Sequence, residues 1–104
     1  MKYEALVQKR IQAITEAVLD VMEVSEQELK QAARYRQRKH HIARCLLVNL
    51  LHSDGLNVVQ IAVLLDRKNH SGVIYLLTKA HHKNMHSGAY RMLFKQITSD
   101  IVNT

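Results

Sequence analysis

Apolar residues recur every three or four positions along most of the chain, which is the period of an amphipathic helix. Short polar or glycine-containing stretches separate these runs, so the pattern indicates helices joined by turns. The predicted helices cover about 3–22, 25–33, the apolar stripe 42–51, 57–65, 73–82 and a last segment after Ser87. We therefore predict an all-α fold of five or six helices in one domain that spans residues 1–104.

Three polar residues mark predicted helix starts. Ser25 opens the sequence SEQE, a capping box in which Ser25 accepts from the backbone of Glu28 and the Glu28 side chain reaches back to Ser25. Asn57 and Ser87 are placed to cap the helices that follow them. The turn signal SDG at 53–55 ends the helix that contains the apolar stripe 42–51. The breadth of that stripe predicts that this helix is largely buried.

The composition supports helices and indicates a basic protein. The chain has no proline, three glycines and 47% hydrophobic residues, which suits helices with short turns and argues against disorder. Fifteen lysines and arginines against nine acids give a net charge of +6. The stretch 34–44, RYRQRKHHIAR, is partly loop and partly helix entry and contains no acid. Such a charge attracts polyanions: nucleic acid, an acidic protein or anionic lipid.

Several other classes of protein have no support in the sequence. Cys45 is the single cysteine and has apolar neighbours, which predicts a core residue and a reducing, cytoplasmic setting. The N-terminus carries charges unlike those of a signal peptide, and the apolar runs are too short to span a membrane. His82 and His86 have the spacing of a metal pair, but without a nearby carboxylate or cysteine we expect solvated surface residues. We expect no enzyme activity, cofactor, metal or small-molecule substrate, because no catalytic grouping has the required spacing.

The stretch 66–80, DRKNHSGVIYLLTKA, joins a short helix to one that begins with polar residues. This layout is typical of a helix-turn-helix, in which the start of the second helix faces base edges in the major groove. Asn69 suits adenine, and His70 and Ser71 can donate or accept at other bases. Lys68 suits phosphate. A cap would need only one of these polar residues, so the cluster indicates DNA recognition.

Three segments together resemble the C-terminal DNA-binding domain of the bacterial chromosomal replication initiator DnaA. DRKNHSGVIYLLTKA resembles the family signature G-G-R-D-H-[ST]-T-V-[IL]-H-A. ARCLLVNLL at 43–51 resembles its A-R-Q-I-A-M-Y-L helix, and VMEVSEQELK at 21–30 resembles the entry to that domain. The segments occur in the family's order, and the resemblance is strongest over residues 8–82. It implies a Trp repressor-like fold that binds duplex DNA.

The resemblance assigns roles at the start of the second helix. Lys68 takes the place of the signature arginine and Asn69 that of an aspartate, while His70 and Ser71 match directly. Gly72 replaces a threonine that contributes a base contact. Asparagine suits adenine where aspartate suits cytosine, so the target sequence is expected to differ from that of the initiator.

Other positions depart from the family or match it outside that helix. Asp66 and Arg67 replace two glycines. Arg44 matches an arginine of the preceding helix, Arg36 a minor-groove arginine of the basic loop, and His52 a phosphate-binding lysine. Tyr75 could face DNA or pack on the last helix. The complete set of predicted DNA contacts is Arg36, Arg38, Lys39, Arg44, His52, Arg67, Lys68, Asn69, His70, Ser71 and Tyr75.

The predicted function is sequence-specific binding of double-stranded DNA, without a membrane association. The sequence has no phosphate loop of the form GxxxxGK[ST], so it is not expected to melt an origin by itself. The expected role is a replication- or transcription-linked accessory, or a mobile-element protein, in bacteria or phage, with a possible protein partner in a replication or regulatory complex. Two alternatives stay open: an RNA-binding module, and a helical interaction domain whose basic face binds an acidic partner. Few aromatic residues lie near the basic elements, which counts against single-stranded RNA.

Overall fold

A computed structural model describes the chain at residues 2–31, 34–66 and 70–102, with side chains described at 7–31, 34–66 and 70–101. All regular secondary structure in these ranges is helical, which confirms the predicted all-α class. The helices are α1 (Lys2–Met22), α2 (Glu26–Lys30), α3 (Arg38–Ser53), α4 (Val58–Leu64), α5 and α6 (Gly88–Val102). α5 is a continuous run formed by the α-helical Ser71–Tyr75, the π-helical Leu76–Ala80 and the α-helical His81–Asn84.

The predicted caps form at the starts of α2 and α4. Ser25 Oγ accepts from the backbone N–H of Glu28, and Glu28 Oε1 accepts from the backbone N–H of Ser25, both at 3.1 Å. Asn57 caps α4, and Gln60 completes a second capping box, with both hydrogen bonds at 2.9 Å. Gly55 has φ +109°, a left-handed conformation that glycine adopts without a Cβ clash, in the predicted turn after α3.

Two helix boundaries differ from the hydrophobic pattern by three residues or more. α2 ends at Lys30 rather than near Ala33, because Gln31 leaves the helical region with ψ 65°. α3 starts at Arg38, before its apolar stripe begins, since its first turn consists of basic residues that carry no hydrophobic signal. The expectation that the basic stretch is partly loop and partly helix entry is confirmed.

α3 is the centre of the fold and packs against each of the other five helices of the described ranges. Its residues 42–48 are all buried, which confirms the broad apolar stripe, and Cys45 is a core residue as predicted. α1 contributes Ile14 and Val18 to the same core, and α6 contributes Tyr90 and Ile97. Within the described ranges, none of the helices has the length and apolar character needed to cross a bilayer.

Candidate nucleic-acid interface

α3 and α5 lie side by side and run in opposite directions. Near the middle of both helices, Asn49 Nδ2 donates to the Leu76 carbonyl at 3.0 Å. Earlier on α3, Cys45 Sγ accepts at 3.3 Å from the Tyr90 hydroxyl, which lies 2.9 Å from His81 Nδ1 towards the end of α5. The start of α5 therefore lies towards the end of α3, and the end of α5 lies beside the first turns of α3.

One stripe of α3 follows α5 along its length. The stripe has the three- and four-residue spacing of a helix face and consists of Arg38, His41, Cys45, Asn49 and His52. Cys45 and Asn49 contact α5, whereas Arg38 and His52 are exposed at the two ends. At about 1.5 Å per residue, Arg38 and His52 are about 21 Å apart along the helix axis. These two predicted DNA contacts therefore flank opposite ends of α5.

The outward face of α5 carries polar, aromatic and cationic side chains. Its exposed residues are Ser71, Ile74, Tyr75, Thr78, Lys79, His82 and Lys83. Tyr75 is 50% exposed, so the outward one of its two expected orientations is observed. The sequence of α5 contains no acidic residue, and its opposite face, with Val73, Leu76 and Ala80, is buried in the core. A helix with one buried face and an acid-free outward face is suited to a polyanion.

The side chain of His70, at the start of α5, does not cap the helix. His70 occupies the N-cap position, is exposed, and forms no side-chain capping hydrogen bond. Ser71, the first helical residue, is exposed as well. Capping therefore does not explain the presence of His70. The other predicted contacts of this cluster, Arg67, Lys68 and Asn69, lie outside the described residues.

The basic segment, which we define as residues 34–39, forms the approach to α3. Arg36, Arg38 and Lys39 are exposed, and none of the three forms an ion pair with a residue of the described ranges. The guanidinium of Arg34 lies 5.8 Å from the centre of the Tyr35 ring. The segment thus presents uncompensated positive charge, as expected for a surface that binds phosphate.

Arg44 differs from the other predicted DNA contacts because it is buried. Its side chain is only 6% exposed, and its Nε donates to the Leu29 carbonyl at 2.9 Å. Its Nη2 donates to the carbonyls of Glu28 at 2.8 Å and Tyr35 at 2.7 Å. These bonds hold the end of α2 and the basic segment against α3. We therefore remove Arg44 from the set of direct DNA contacts and assign it to the support of the basic segment.

His40 also supports the basic segment, and the sequence patterns did not indicate this role. It is 3% exposed, and its Nε2 lies 2.6 Å from Glu28 Oε2, so the imidazole N–H donates to the carboxylate. This hydrogen bond, together with those from Ser25, lowers the pKa of the Glu28 carboxyl below its ordinary value. The predicted capping box gave a partner to only one carboxylate oxygen of Glu28. The second oxygen, which had no predicted partner, was the only indication in the sequence that another residue would donate to Glu28.

Beneath the end of α5, a buried polar chain connects three helices. His81 Nδ1 lies 2.9 Å from the Tyr90 hydroxyl, and that hydroxyl donates to Cys45 Sγ at 3.3 Å. Burial lowers the pKa of His81, with a smaller contribution from His82, and raises the pKa values of Cys45 and Tyr90. A buried thiol with a raised pKa is a poor nucleophile, so the chain is a packing feature.

The histidine pair at the end of α5 lies on the surface. His82 and His86 are both exposed, as predicted, and their ring centres are 5.3 Å apart. The described residues contain no group of three or more histidine, cysteine, aspartate or glutamate side chains that could hold a metal ion.

We compared the chain with protein-family models, with curated proteins and with solved structures, and none of the three comparisons gave a match.

Proposed function

We propose that this chain binds double-stranded DNA sequence-specifically, with α5 as the recognition helix of a helix-turn-helix. The observation that carries the proposal is the outward face of α5, which is exposed and free of acids. His70 precedes this face at the N-cap position and forms no side-chain capping hydrogen bond. In a helix-turn-helix the N-terminal residues of the second helix contact base edges in the major groove. His70 and Ser71 stand at that position and carry side chains that hydrogen-bond to bases.

The connection between α4 and α5 supports the same proposal. α4 packs against the first part of α5, and only residues 65–70 separate the two helices. Asp66, in this link, has φ +54°, the left-handed conformation that glycine adopts most readily. The DnaA domain that the sequence resembles has a glycine at this position. The backbone conformation is therefore one that the family's residue would suit, although the side chain differs, and a Trp repressor-like arrangement is part of the proposal.

The distance between Arg38 and His52 is comparable to half a helical turn of duplex DNA. Arg38 and His52 are separated by about 21 Å along α3. Half a helical turn of DNA, the step from a major groove to the adjacent minor groove, is about 17 Å. With the start of α5 in the major groove, the basic segment lies within reach of the next stretch of backbone and of the adjacent minor groove. In this arrangement α5 selects the sequence, and Arg36, Arg38 and Lys39 hold the backbone.

The proposed biological role is that of a DNA-binding accessory in replication or transcription, or of a mobile-element protein. The resemblance to the DnaA domain supports the link to replication. A protein partner within such a complex is part of the proposal.

One observation favours a second candidate function, the binding of a protein partner through the same half of the molecule. Val59 and Val63 on α4 are 51% and 68% exposed, and Ile74 on α5 is 48% exposed. Exposed apolar residues on neighbouring elements are typical of protein-binding surfaces. A basic protein with such a surface would take an acidic partner with an apolar centre.

The experiment is selection of bound duplexes from a random library, followed by competition. The selected duplex, a scrambled duplex, single-stranded RNA of the same sequence and polyglutamate are each used to displace a labelled selected duplex. Our proposal predicts an enriched motif and displacement by the selected duplex at least tenfold better than by the other three, since each wrong base pair costs roughly 1–3 kcal/mol. No enrichment, or equal displacement by polyglutamate, would contradict it.

A further inference from the structure

A second group of cations lies at the far end of α5 from His70. Arg38 and His41 belong to the first turns of α3, and Lys83 belongs to the last turn of α5. The antiparallel packing of the two helices brings these residues together. His81, two residues before Lys83, is linked to Cys45 through the Tyr90 hydroxyl, and Cys45 lies one helical turn from His41.

The charges around His41 are of one sign. The imidazole experiences electrostatic repulsion from Arg38 and Arg44 on its own helix and from Lys83 on α5. Burial, which is the largest cause, and these three cations lower the pKa of His41 below its ordinary value of 6.5. Neither Arg38 nor Lys83 forms an ion pair with a residue of the described ranges, and both are exposed. The first turn of α3 contains no acidic residue.

We propose that Arg38, His41 and Lys83 form a phosphate-binding site for the DNA backbone, and that His41 takes up a proton when the phosphate binds. The proposal rests on the proposed function, because the ligand is a phosphodiester of the bound duplex. Arg38 and Lys83 supply charge and N–H donors from two helices. The half-buried His41, one turn after Arg38 on α3, adds a further donor, since a protonated imidazole donates from both ring nitrogens.

Proton uptake follows from the change in the surroundings of His41. Without DNA, burial and the three cations favour the neutral imidazole. A phosphate adds negative charge beside the ring and raises its pKa. Between the two pKa values, binding takes up a proton, so affinity increases as the pH falls, by up to about tenfold per pH unit. Below the pKa of the free protein His41 is protonated in both states, and its contribution to the pH dependence ends.

The first measurement is the affinity for a short random-sequence duplex at several pH values between about 5 and 8, at constant ionic strength. We compare wild type with His41→Asn. The other histidines of the chain are common to both proteins. The measured quantity is therefore the difference between the two proteins. We expect wild type to gain several-fold more affinity on acidification than His41→Asn.

The second measurement separates the site from general charge. Lys83→Gln is expected to lower the magnitude of the salt slope of duplex binding by about one, because one phosphate contact is lost. Lys95→Gln removes the same charge from an exposed position on α6 and should leave the slope unchanged. A slope that changes equally in both variants would overturn the assignment of Lys83 to this site.

NMR titration of the His41 ring in wild type, with and without the duplex, avoids any effect of substitution on folding. A higher His41 pKa in the complex is the expected result. If the duplex binds but the pKa of His41 stays the same, the inference is overturned while the proposed function stands. If no duplex binds at any pH, the proposed function fails and this inference fails with it.

Discussion

Arginine side chains have two different functions around the basic segment. Arg44 is buried beneath the segment and donates to three backbone carbonyls, whereas Arg36 and Arg38 are exposed and form no ion pair with described residues. The sequence and the resemblance to the DnaA domain placed all three in one class. Residue type alone does not show burial, since an arginine within the apolar stripe 42–51 can be exposed or buried. Its assignment required the backbone carbonyls of α2, which no sequence pattern locates.

The first prediction separates these two functions. Arg44→Met removes the donors of three carbonyl groups, and we expect it to lower the free energy of unfolding by roughly 2–4 kcal/mol, as measured by urea denaturation. Arg38→Met is the matched control on the exposed side. It should change stability by less than about 0.5 kcal/mol and weaken binding to all duplexes. A stable, folded Arg44→Met protein that loses DNA affinity would restore Arg44 as a direct contact.

The second prediction concerns His70, which stands at the N-cap position without capping α5. His70→Ala should change the free energy of unfolding little, because no capping hydrogen bond is lost. It should cost roughly 1–3 kcal/mol of affinity on the selected duplex and much less on a scrambled one. Titration of both duplexes with wild type and variant measures this. An equal loss on both duplexes would mean that His70 contacts only the backbone.

Hydrophobic periodicity predicted the helices of this fold well, and it could not predict the interior of α5. A run of apolar residues at 73–80 is compatible with an unbroken α-helix, yet residues Leu76–Ala80 are π-helical. The cause lies on α3, where the side chains of Asn49 and Cys45 donate to the Leu76 carbonyl at 3.0 and 3.5 Å. π-Helical turns widen the hydrogen-bonded ring. We attribute this segment to competition for that carbonyl, a long-range contact that local sequence does not encode.

The candidate site shows the same division between local and long-range information. The polar start of α5 and the basic segment follow from consecutive residues, and both were found in the sequence. The cluster of His41 with Lys83 joins residues far apart in the chain, and it depends on the antiparallel packing of α3 and α5. Because periodicity gives the faces of helices but not their partners, this cluster could not be found before the fold.

The third prediction tests how much the Asn49 hydrogen bonds between α3 and α5 stabilise the fold. Asn49→Ala removes hydrogen bonds to the carbonyls of Cys45 and Leu76, at 2.7 and 3.0 Å, and should cost roughly 1–2 kcal/mol in urea denaturation. Gln12→Ala is the control, since the Gln12 amide forms one exposed hydrogen bond, to Glu16 on α1. This substitution should change the free energy of unfolding by less than about 0.5 kcal/mol. Equal stabilities of the two variants would mean that the Asn49 hydrogen bonds do not stabilise the fold.

The molecule as a whole concentrates its acids and its cations in different regions. Most acids precede residue 30, and the basic segment and α5 contain none. Of the acids, Glu28 is used internally by His40 and Ser25, and Asp54 pairs with Arg10 at 2.6 Å. The positive charge of the basic segment and α5 is therefore not neutralised by ion pairs within the described residues. This division supports a polyanionic ligand more strongly than the net charge of +6 alone, since net charge does not say where the charge lies.

The fourth prediction concerns stability against pH. The pKa values of His41 and His81 are lowered from 6.5, so below that pH the unfolded chain binds more protons than the folded protein. Stability should therefore fall as the pH decreases below about 6.5, and again below about 4.5, where the lowered pKa of Glu28 acts in the same direction.

Urea midpoints at a series of pH values provide the measurement. His81→Asn should weaken the loss of stability between about pH 6.5 and 5, whereas His86→Asn, at an exposed position, should leave it unchanged. A midpoint that is constant over this interval in wild type would contradict the half-buried, neutral state of these two histidines.

The central proposal is that the chain binds duplex DNA, with the basic segment in contact with the phosphate backbone. The salt dependence of binding tests this proposal most directly. The measurement is the affinity of wild type, Lys39→Ala and Lys95→Ala for one random-sequence duplex at several salt concentrations. With about five phosphates neutralised, wild type should give a slope of log K against log salt of roughly −4 to −5. Lys39→Ala should reduce the slope magnitude by about one, and Lys95→Ala should leave it unchanged. A flat salt response in wild type, or the same slope in all three proteins, would contradict the account.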